Sequence, residues 1–168
     1  MFDRGFNVND LDLLKRDLLF ETQRCVELFN SQIFIKHQTF TQSAFVEILI
    51  RLDYILQKLR KKNNGIIWTD DVQVDQKIKD VTGLVNNLRN AACHCDSPRN
   101  YISNLNVKFV FNVFVGKCSS AVKTGENILL GNEYQDDIAF YYGDKRVYLV
   151  RHIKRLLEEL PNKINELK

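Results

Sequence analysis

The sequence predicts a mainly α protein: an antiparallel bundle of about four main helices, with a small antiparallel β insertion or hairpin before the last helix. Apolar residues recur every three or four positions in several long segments, a spacing typical of helices with one buried face. Seven glycines and two prolines among 168 residues are too few for a turn-rich sandwich. Strand-like composition is confined to a stretch from about residue 106 to residue 148.

Length and composition fit one globular domain spanning residues 1–168. Hydrophobic residues make up 45% and charged residues 27% of the chain, which supplies a substantial core and excludes a disordered protein. The formal net charge of +3 is too small to indicate nucleic-acid binding by itself. No secretory leader and no apolar run near the roughly 20 residues of a membrane helix is evident. We therefore expect a cytoplasmic protein without a membrane partner.

The four cysteines are Cys25, Cys93, Cys95 and Cys118. Because a reducing compartment is expected, we interpret them as free thiols. The triplet formed with His94 lacks the C-x-x-C spacing of structural zinc sites, and consecutive helical residues point in different directions. We expect neither a metal nor a cofactor.

The first helix follows Asn9 or Asp10, either of which can cap it, and its apolar pattern continues to Phe29. A second helix is predicted over about residues 41 to 61, where apolar residues repeat at spacings of three and four. These residues are Phe45, Ile48, Leu49, Leu52, Ile55, Leu56 and Leu59. Basic residues from Lys58 onwards suit the negative end of the helix dipole, and Gly65 allows the chain to turn away.

A third helix is predicted to begin near residues 69 to 71, because six apolar residues continue at helical spacing. The stripe consists of Val74, Ile78, Val81, Val85, Leu88 and Ala92. Pro98 disfavours helical backbone angles at Ser97, so this helix should end near Cys95 or Asp96.

Two strands are predicted over about residues 106–115 and 138–148, and Gly143-Asp144 indicates a hairpin within the second run. A slightly longer loop that includes Lys145 fits the same residues. Residues 117–135 are interpreted as a loop with room for one short element. A last helix is predicted over about residues 149–160, where Pro161 interrupts the pattern.

The third helix ends in Arg89-Asn90-Ala91-Ala92-Cys93-His94. This string resembles the Arg-Asn-x-x-x-His signature of the HEPN superfamily (higher eukaryotes and prokaryotes nucleotide-binding domain). Members of that superfamily are helical bundles, often dimeric, and many are metal-independent ribonucleases of toxin, abortive-infection or CRISPR-linked systems. The resemblance implies one HEPN-like domain with a strand-containing insertion at about residues 106–148. It also implies an RNA substrate, a homodimer, and an antitoxin or regulatory protein as a further partner in a toxin or phage-defence setting.

The chemistry of these residue types fits RNA cleavage without a metal. The 2′-hydroxyl of RNA can attack the adjacent phosphate if a base, an acid and a cation are present. An imidazole can exchange protons near neutral pH, and a guanidinium matches phosphate oxygens. We predict that Arg89 stabilises the phosphate, that His94 transfers protons and that Asn90 supports both.

One chain supplies a single candidate histidine, whereas an acid and a base require two proton-transfer groups. A two-fold dimer would place two copies of Arg89 and His94 around one cleft. Two alternatives stay open at this point. Arg89 and His94 can instead serve as cations at the negative end of a helix, and the protein can instead be a non-catalytic HEPN-like dimeric module that binds RNA, a nucleotide or a protein.

Basic and aromatic residues in the hairpin and the last helix form a second candidate surface. We predict possible contacts with the RNA backbone from Arg146, Tyr148, Arg151, Lys154 and Arg155. An ordinary solvated helix face explains the same residues equally well. The neighbouring Asp136 and Asp137 fit an acidic pair for a metal or acid catalysis, or a turn before a strand.

Overall fold

A computed structural model describes residues 10–35, 39–102, 105–124 and 128–168. Within these residues the protein has an α+β fold, so the expectation of a mainly α bundle is wrong. The described part of the chain contains four α-helices: α1 (Asp10–Asn30), α2 (Thr41–Lys61), α3 (Val81–Cys93) and α4 (Arg155–Asn165).

Seven strands lie between α3 and α4 in the described residues. They are β1 (Tyr101–Ile102), β2 (Val107–Lys108), β3 (Val110–Val115), β4 (Cys118–Thr124), β5 (Ile128–Asn132), β6 (Ile138–Tyr142) and β7 (Lys145–Tyr148). They form three antiparallel sheets with the strand orders β1-β2, β3-β6-β7 and β4-β5.

The central sheet β3-β6-β7 shares one apolar core with the helices. The ring of Phe45 in α2 stacks on Phe140 in β6, with ring centroids 4.3 Å apart. Phe111 in β3 packs against both rings. The predicted insertion is therefore a structural layer of the protein, because every residue of β6 is buried. This burial is the physical reason why a helical bundle does not describe the fold.

The predicted first and second helices are confirmed as α1 and α2. Asn9, one of the two predicted caps of the first helix, lies outside the described residues. The seven apolar residues predicted to line the second helix are all fully buried, as the spacing of three and four requires.

The third helix begins about ten residues later than predicted, at Val81. The Asp75 carboxylate accepts hydrogen bonds from the backbone N–H groups of Lys77 and Ile78 and so forms a turn. The Asp80 side chain accepts from the Gly83 N–H and caps α3. Aspartate competes with helix formation in this way because its short side chain satisfies nearby backbone donors.

The strands predicted at residues 106–115 and 138–148 are confirmed, including the turn at Gly143-Asp144 between β6 and β7. Gly143 has a φ of +58°, and a Cβ atom there would lie 2.4 Å from the Arg99 carbonyl oxygen. Only glycine fits this turn. The predicted loop at residues 117–135 is wrong, because it contains the antiparallel pair β4-β5.

The last helical segment starts with a π-helical turn at Leu149–Lys154 and continues as α4 to Asn165. Pro161 does not end it, contrary to the prediction. The buried residues Leu157, Leu160 and Ile164 keep one apolar stripe across the proline, so packing outweighs the missing N–H. Among the described helices, none has both the length and the apolar content needed to cross a bilayer.

Candidate functional site

Arg89 and Asn90 occupy the half-buried side of α3 that faces α2. The Arg89 Nε lies 3.4 Å from Asp53 Oδ2 on α2. Its Nη1 donates a 2.8 Å hydrogen bond to Asn90 Oδ1, and Asn90 Nδ2 donates to Asn86 Oδ1. These contacts direct the guanidinium, and 37% of the Arg89 side chain stays exposed to solvent.

Asp53 connects these groups and was missed by the sequence reasoning. Its side chain is only 6% exposed, and its Oδ1 accepts hydrogen bonds from Gln57 Nε2 and Asn86 Nδ2. We call this group the α2–α3 polar seam, and its members are Asp53, Gln57, Asn86, Arg89 and Asn90. A lone carboxylate on the apolar stripe of α2 is the sequence signal that would have revealed it, since buried charges are nearly always paired.

A second ion pair joins the same two helices farther from the motif. Arg60 Nη2 contacts both carboxylate oxygens of Asp80 at 2.7 Å. The end of α2 therefore meets the beginning of α3, which makes the helices antiparallel. The beginning of α2 consequently lies at the end of α3, where His94 follows.

His94 immediately follows the last residue of α3 and has extended backbone angles. Its side chain is exposed. The His94 carbonyl oxygen accepts hydrogen bonds from the Ser97 N–H and from Asn100 Nδ2. These contacts fix the turn after the helix while the imidazole faces solvent.

The structure brings two of the three predicted catalytic residues into direct contact. Arg89 and Asn90 are hydrogen-bonded. Among the described residues, neither forms a hydrogen bond or an ion pair with His94 in the same chain. His94 lies four and five residues after these two side chains, about 6 to 7.5 Å of helical rise, and the backbone turns out of the helix at His94.

Four of the five residues predicted to contact RNA belong to a second group, which we call the Arg–aromatic cluster. It consists of Arg146, Tyr148, Arg151 and Arg155 together with Tyr134 and Trp68. Each guanidinium lies over a ring, with 4.5 Å from Arg146 to Tyr148, 3.4 Å from Arg151 to Tyr134 and 4.1 Å from Arg155 to Trp68. Tyr148 is fully buried, and burial raises the pKa of its hydroxyl.

Each arginine of the Arg–aromatic cluster is also paired with a carboxylate. The pairs are Arg146 with Glu133 at 3.0 Å, Arg151 with Asp136 and Asp137 at 3.1 Å, and Arg155 with Asp70 and Glu159 at 2.9 Å. Lys154 differs, because its side chain is 50% exposed and its ammonium lies 3.7 Å from Glu158. The charges of the three arginines are therefore used within the fold.

Asp137 and His152 support the π-helical turn from inside. The Asp137 carboxylate accepts hydrogen bonds from the backbone N–H groups of Val150 and Arg151. His152 Nδ1 accepts from the Tyr148 N–H, and Nε2 lies 3.2 Å from the Asp70 carbonyl oxygen. Burial lowers the pKa of His152 to about 4, so the neutral imidazole is the form that fits.

Within the part of the chain that the structure describes, no three His, Cys, Asp or Glu side chains are grouped so that they could hold a metal ion. Cys93 and Cys95 are exposed free thiols, and Asp137 serves as a cap for the π-helical turn. Known protein families, curated proteins and solved structures show no match to this chain.

Proposed function

We propose that the protein is a metal-independent RNA endonuclease of HEPN type, acting in a toxin or phage-defence setting. The observation that carries the proposal is the end of α3. There, Asp53 holds a half-exposed Arg89, and the exposed His94 follows the last helical residue. A cation and an exposed imidazole on one short segment supply two of the three groups that this reaction requires, which are a cation, a base and an acid.

The proposed reaction is transesterification. A base removes the proton of the 2′-hydroxyl, O2′ forms a bond to phosphorus, and the bond from phosphorus to O5′ breaks. An acid gives a proton to O5′, so the products are a 2′,3′-cyclic phosphate and a 5′-hydroxyl. Arg89 stabilises the charge on the phosphate, and Asp53 and Asn90 hold its guanidinium in direction.

We propose a homodimer because one chain supplies one His94 and the reaction needs both an acid and a base. The outer face of α2 offers a surface for the second copy. Ile50 and Tyr54 are 44% and 38% exposed and lie four residues apart on one face of α2, where the Tyr54 hydroxyl donates a hydrogen bond to Asp17 of α1.

A second candidate function is a dimeric HEPN-like module that binds RNA, a nucleotide or a protein without cleavage. The contacts of Arg89 favour this alternative, because Nε and Nη1 already face Asp53 and Asn90. An arginine that only joins two helices would have the same contacts. The two functions differ in whether the RNA backbone is broken.

Incubation of the purified protein with cellular RNA in excess EDTA distinguishes them. We expect cleavage that leaves cyclic phosphate ends, reduced at least about 100-fold in Arg89→Ala and in His94→Ala. Arg60→Ala is the matched control for Arg89→Ala, since it removes an equally exposed arginine that also pairs α2 with α3. Cleavage by wild type and Arg60→Ala alone supports the enzyme. Equal cleavage by all four proteins, or none, contradicts it.

The dimer is tested with the exposed isoleucines. We expect Ile50→Glu to convert a dimer to a monomer in light scattering and to abolish cleavage, because a charge on an apolar interface is costly. Ile67→Glu is the control, at a more exposed isoleucine outside α2. A wild-type protein that is monomeric at tens of micromolar and still cleaves RNA rules out the composite site.

A further inference from the structure

A cavity of about 470 Å³ lies where the beginning of α2, the end of α3 and the β2–β3 segment meet. Three carboxamide side chains line it: Gln42, Asn100 and Asn112. Lys108 is the cation in its wall, and no carboxylate is present among the described lining residues. Carboxamides both donate and accept hydrogen bonds, so the wall suits a neutral, planar group with a mixed hydrogen-bonding edge next to an anion.

Asn100 has an acceptor without a partner. The residue is 1% exposed, and its Nδ2 donates to the carbonyl oxygens of His94 and Cys95 at 2.9 and 3.3 Å. Those two carbonyls fix the amide orientation, since a flipped amide would place Oδ1 against them. Among the described residues, Oδ1 accepts no hydrogen bond. A buried acceptor left unpaired costs about 1–3 kcal/mol, a cost that an N–H group of a ligand would remove.

The other residues of the wall are mainly apolar. Ala91 and Ala92 of α3 line the cavity together with Phe109. The Phe109 ring is held edge to face by Tyr141, with centroids 6.1 Å apart. Proteins bind the bases of single-stranded RNA with apolar side chains beside hydrogen-bonding groups.

A β-bulge in β3 positions Asn112. The pairing of β3 with β6 shifts register between Val110 and Asn112, and Phe111 between them has a φ of +50°, in a region that side-chain-bearing residues rarely adopt. The Phe111 ring packs into the core against Phe45 and Phe140, whereas Val110 and Asn112 line the cavity. Core packing therefore holds a strained backbone that carries an amide to the cavity.

The cavity is continuous with the proposed catalytic segment. Ala91, Ala92 and Cys95 line it on both sides of His94, and Asn100 is bonded to the His94 backbone. We propose that this cavity binds one nucleobase of a single-stranded RNA, with its Watson–Crick edge on the three carboxamides and its phosphate directed toward Lys108 and His94. This inference rests on the proposed function for its link to cleavage.

Binding of the four nucleoside 5′-monophosphates to the wild-type protein is measured by calorimetry and by NMR of the side-chain amides. We expect at least one of them to bind ten or more times more tightly than ribose 5-phosphate and to shift the side-chain amide signals of Gln42, Asn100 and Asn112. An analogue of that nucleotide, methylated so that its Watson–Crick edge has no N–H, should bind about tenfold more weakly, because Asn100 Oδ1 then loses its donor. Equal affinity for ribose 5-phosphate overturns the proposal.

Two variants locate the site. Gln42→Ala and Asn112→Ala should each weaken nucleotide binding about five- to tenfold and change the positions at which RNA is cut. Asn162→Ala removes an exposed carboxamide on α4 and should change neither. Unaltered binding and unaltered cleavage positions in both cavity variants overturn the cavity proposal and leave the nuclease intact. Base-dependent binding without RNA cleavage supports the cavity and contradicts the nuclease.

Discussion

The α2–α3 polar seam and the Arg–aromatic cluster both combine arginines with carboxylates, but they differ in how the arginines are used. In the seam, Arg89 has one carboxylate partner at 3.4 Å and a carboxamide neighbour, and the exposed His94 follows five residues later. In the cluster, every arginine lies over an aromatic ring and is paired with one or two carboxylates. The first arrangement leaves a guanidinium with a single carboxylate partner, and the second gives each guanidinium a ring and one or two carboxylates.

Basic residues close together in a sequence are therefore weak evidence for a nucleic-acid surface. A guanidinium that stacks on a ring and binds carboxylates already has its charge compensated. The difference between the two regions follows from the neighbours that the fold supplies, and those neighbours come from distant parts of the chain. Asp70 and Trp68, for example, precede Arg155 by more than 80 residues.

The strongest test of a structural role for the Arg–aromatic cluster is Asp137→Ala. Its buried carboxylate bonds two backbone N–H groups of the π-helical turn and the Arg151 guanidinium. We expect the free energy of unfolding in urea to fall by about 3–5 kcal/mol, because buried donors and a cation lose their partner. Asp136→Ala is the control, since Asp136 contacts the same Arg151 but is 74% exposed, and it should cost less than about 1 kcal/mol. Equal losses of stability in the two variants would show that the burial of Asp137 does not determine how much its carboxylate stabilises the fold.

The matching test of the α2–α3 polar seam is Asp53→Asn. The amide keeps the size of the side chain but removes the charge that directs Arg89, so we expect RNA cleavage to fall about 100-fold while stability falls by only about 1–2 kcal/mol. Asp80→Asn is the control. It removes the charge opposite Arg60 and keeps a good helix cap. Cleavage should stay near the wild-type level in that control. Equal losses of cleavage in the two variants would assign Asp53 a role in stability alone.

His152, which packs against Trp68 and Tyr148 of the Arg–aromatic cluster, makes the stability of the fold depend on pH. Its pKa is lowered to about 4 by burial, whereas the unfolded chain has a histidine pKa near 6.5. Below pH 6.5 the unfolded state therefore binds a proton that the folded state does not, and stability falls as the pH falls toward 4. Between pH 7.5 and pH 5 we expect a loss of about 2 kcal/mol in urea unfolding. His152→Gln should lose this part of the pH dependence, and an unchanged slope in the variant would contradict the assignment.

The helices were largely predictable, and the exceptions have local causes. The apolar pattern of α2 predicted both ends of this helix correctly, because seven buried residues repeat on one face along its length. The same pattern fails before Val81, where Asp75 and Asp80 bind backbone N–H groups and end the helical path. The strands β4 and β5 were missed because their polar residues are typical of a loop. Each is a strand through its antiparallel pairing with the other.

The candidate site was predictable only in part. Arg89, Asn90 and His94 are contiguous enough to be recognised as a motif, but the partner that directs Arg89 lies 36 positions earlier, at Asp53. The cavity amides are still more dispersed, since Gln42, Asn100 and Asn112 come from three different elements and one follows a bulge. Spacing along one helix carries no information about such contacts. They depend on the antiparallel packing of α2 and α3.

The smallest expected effects on stability concern Arg155 and Lys154, two adjacent basic residues that the sequence analysis placed in the same RNA-binding surface. Arg155 lies over Trp68 and bonds Asp70 and Glu159, so Arg155→Ala should lower the free energy of unfolding by about 1–2 kcal/mol. Lys154 is its neighbour, is half exposed and has a longer contact to Glu158. Lys154→Ala should change stability by less than about 0.5 kcal/mol.

For RNA affinity we expect the opposite order, with Lys154 contributing more than Arg155. A half-exposed ammonium can neutralise a phosphate at little cost, so Lys154→Ala should weaken RNA binding about two- to threefold at low salt and lose that effect as salt rises. Arg155→Ala should change RNA affinity less, because Asp70 and Glu159 already neutralise the guanidinium. Filter binding of a labelled single-stranded RNA at several salt concentrations measures both. If Arg155→Ala weakens RNA binding more than Lys154→Ala, the arginines of the cluster contact RNA despite their carboxylate partners, and the division between the two regions fails.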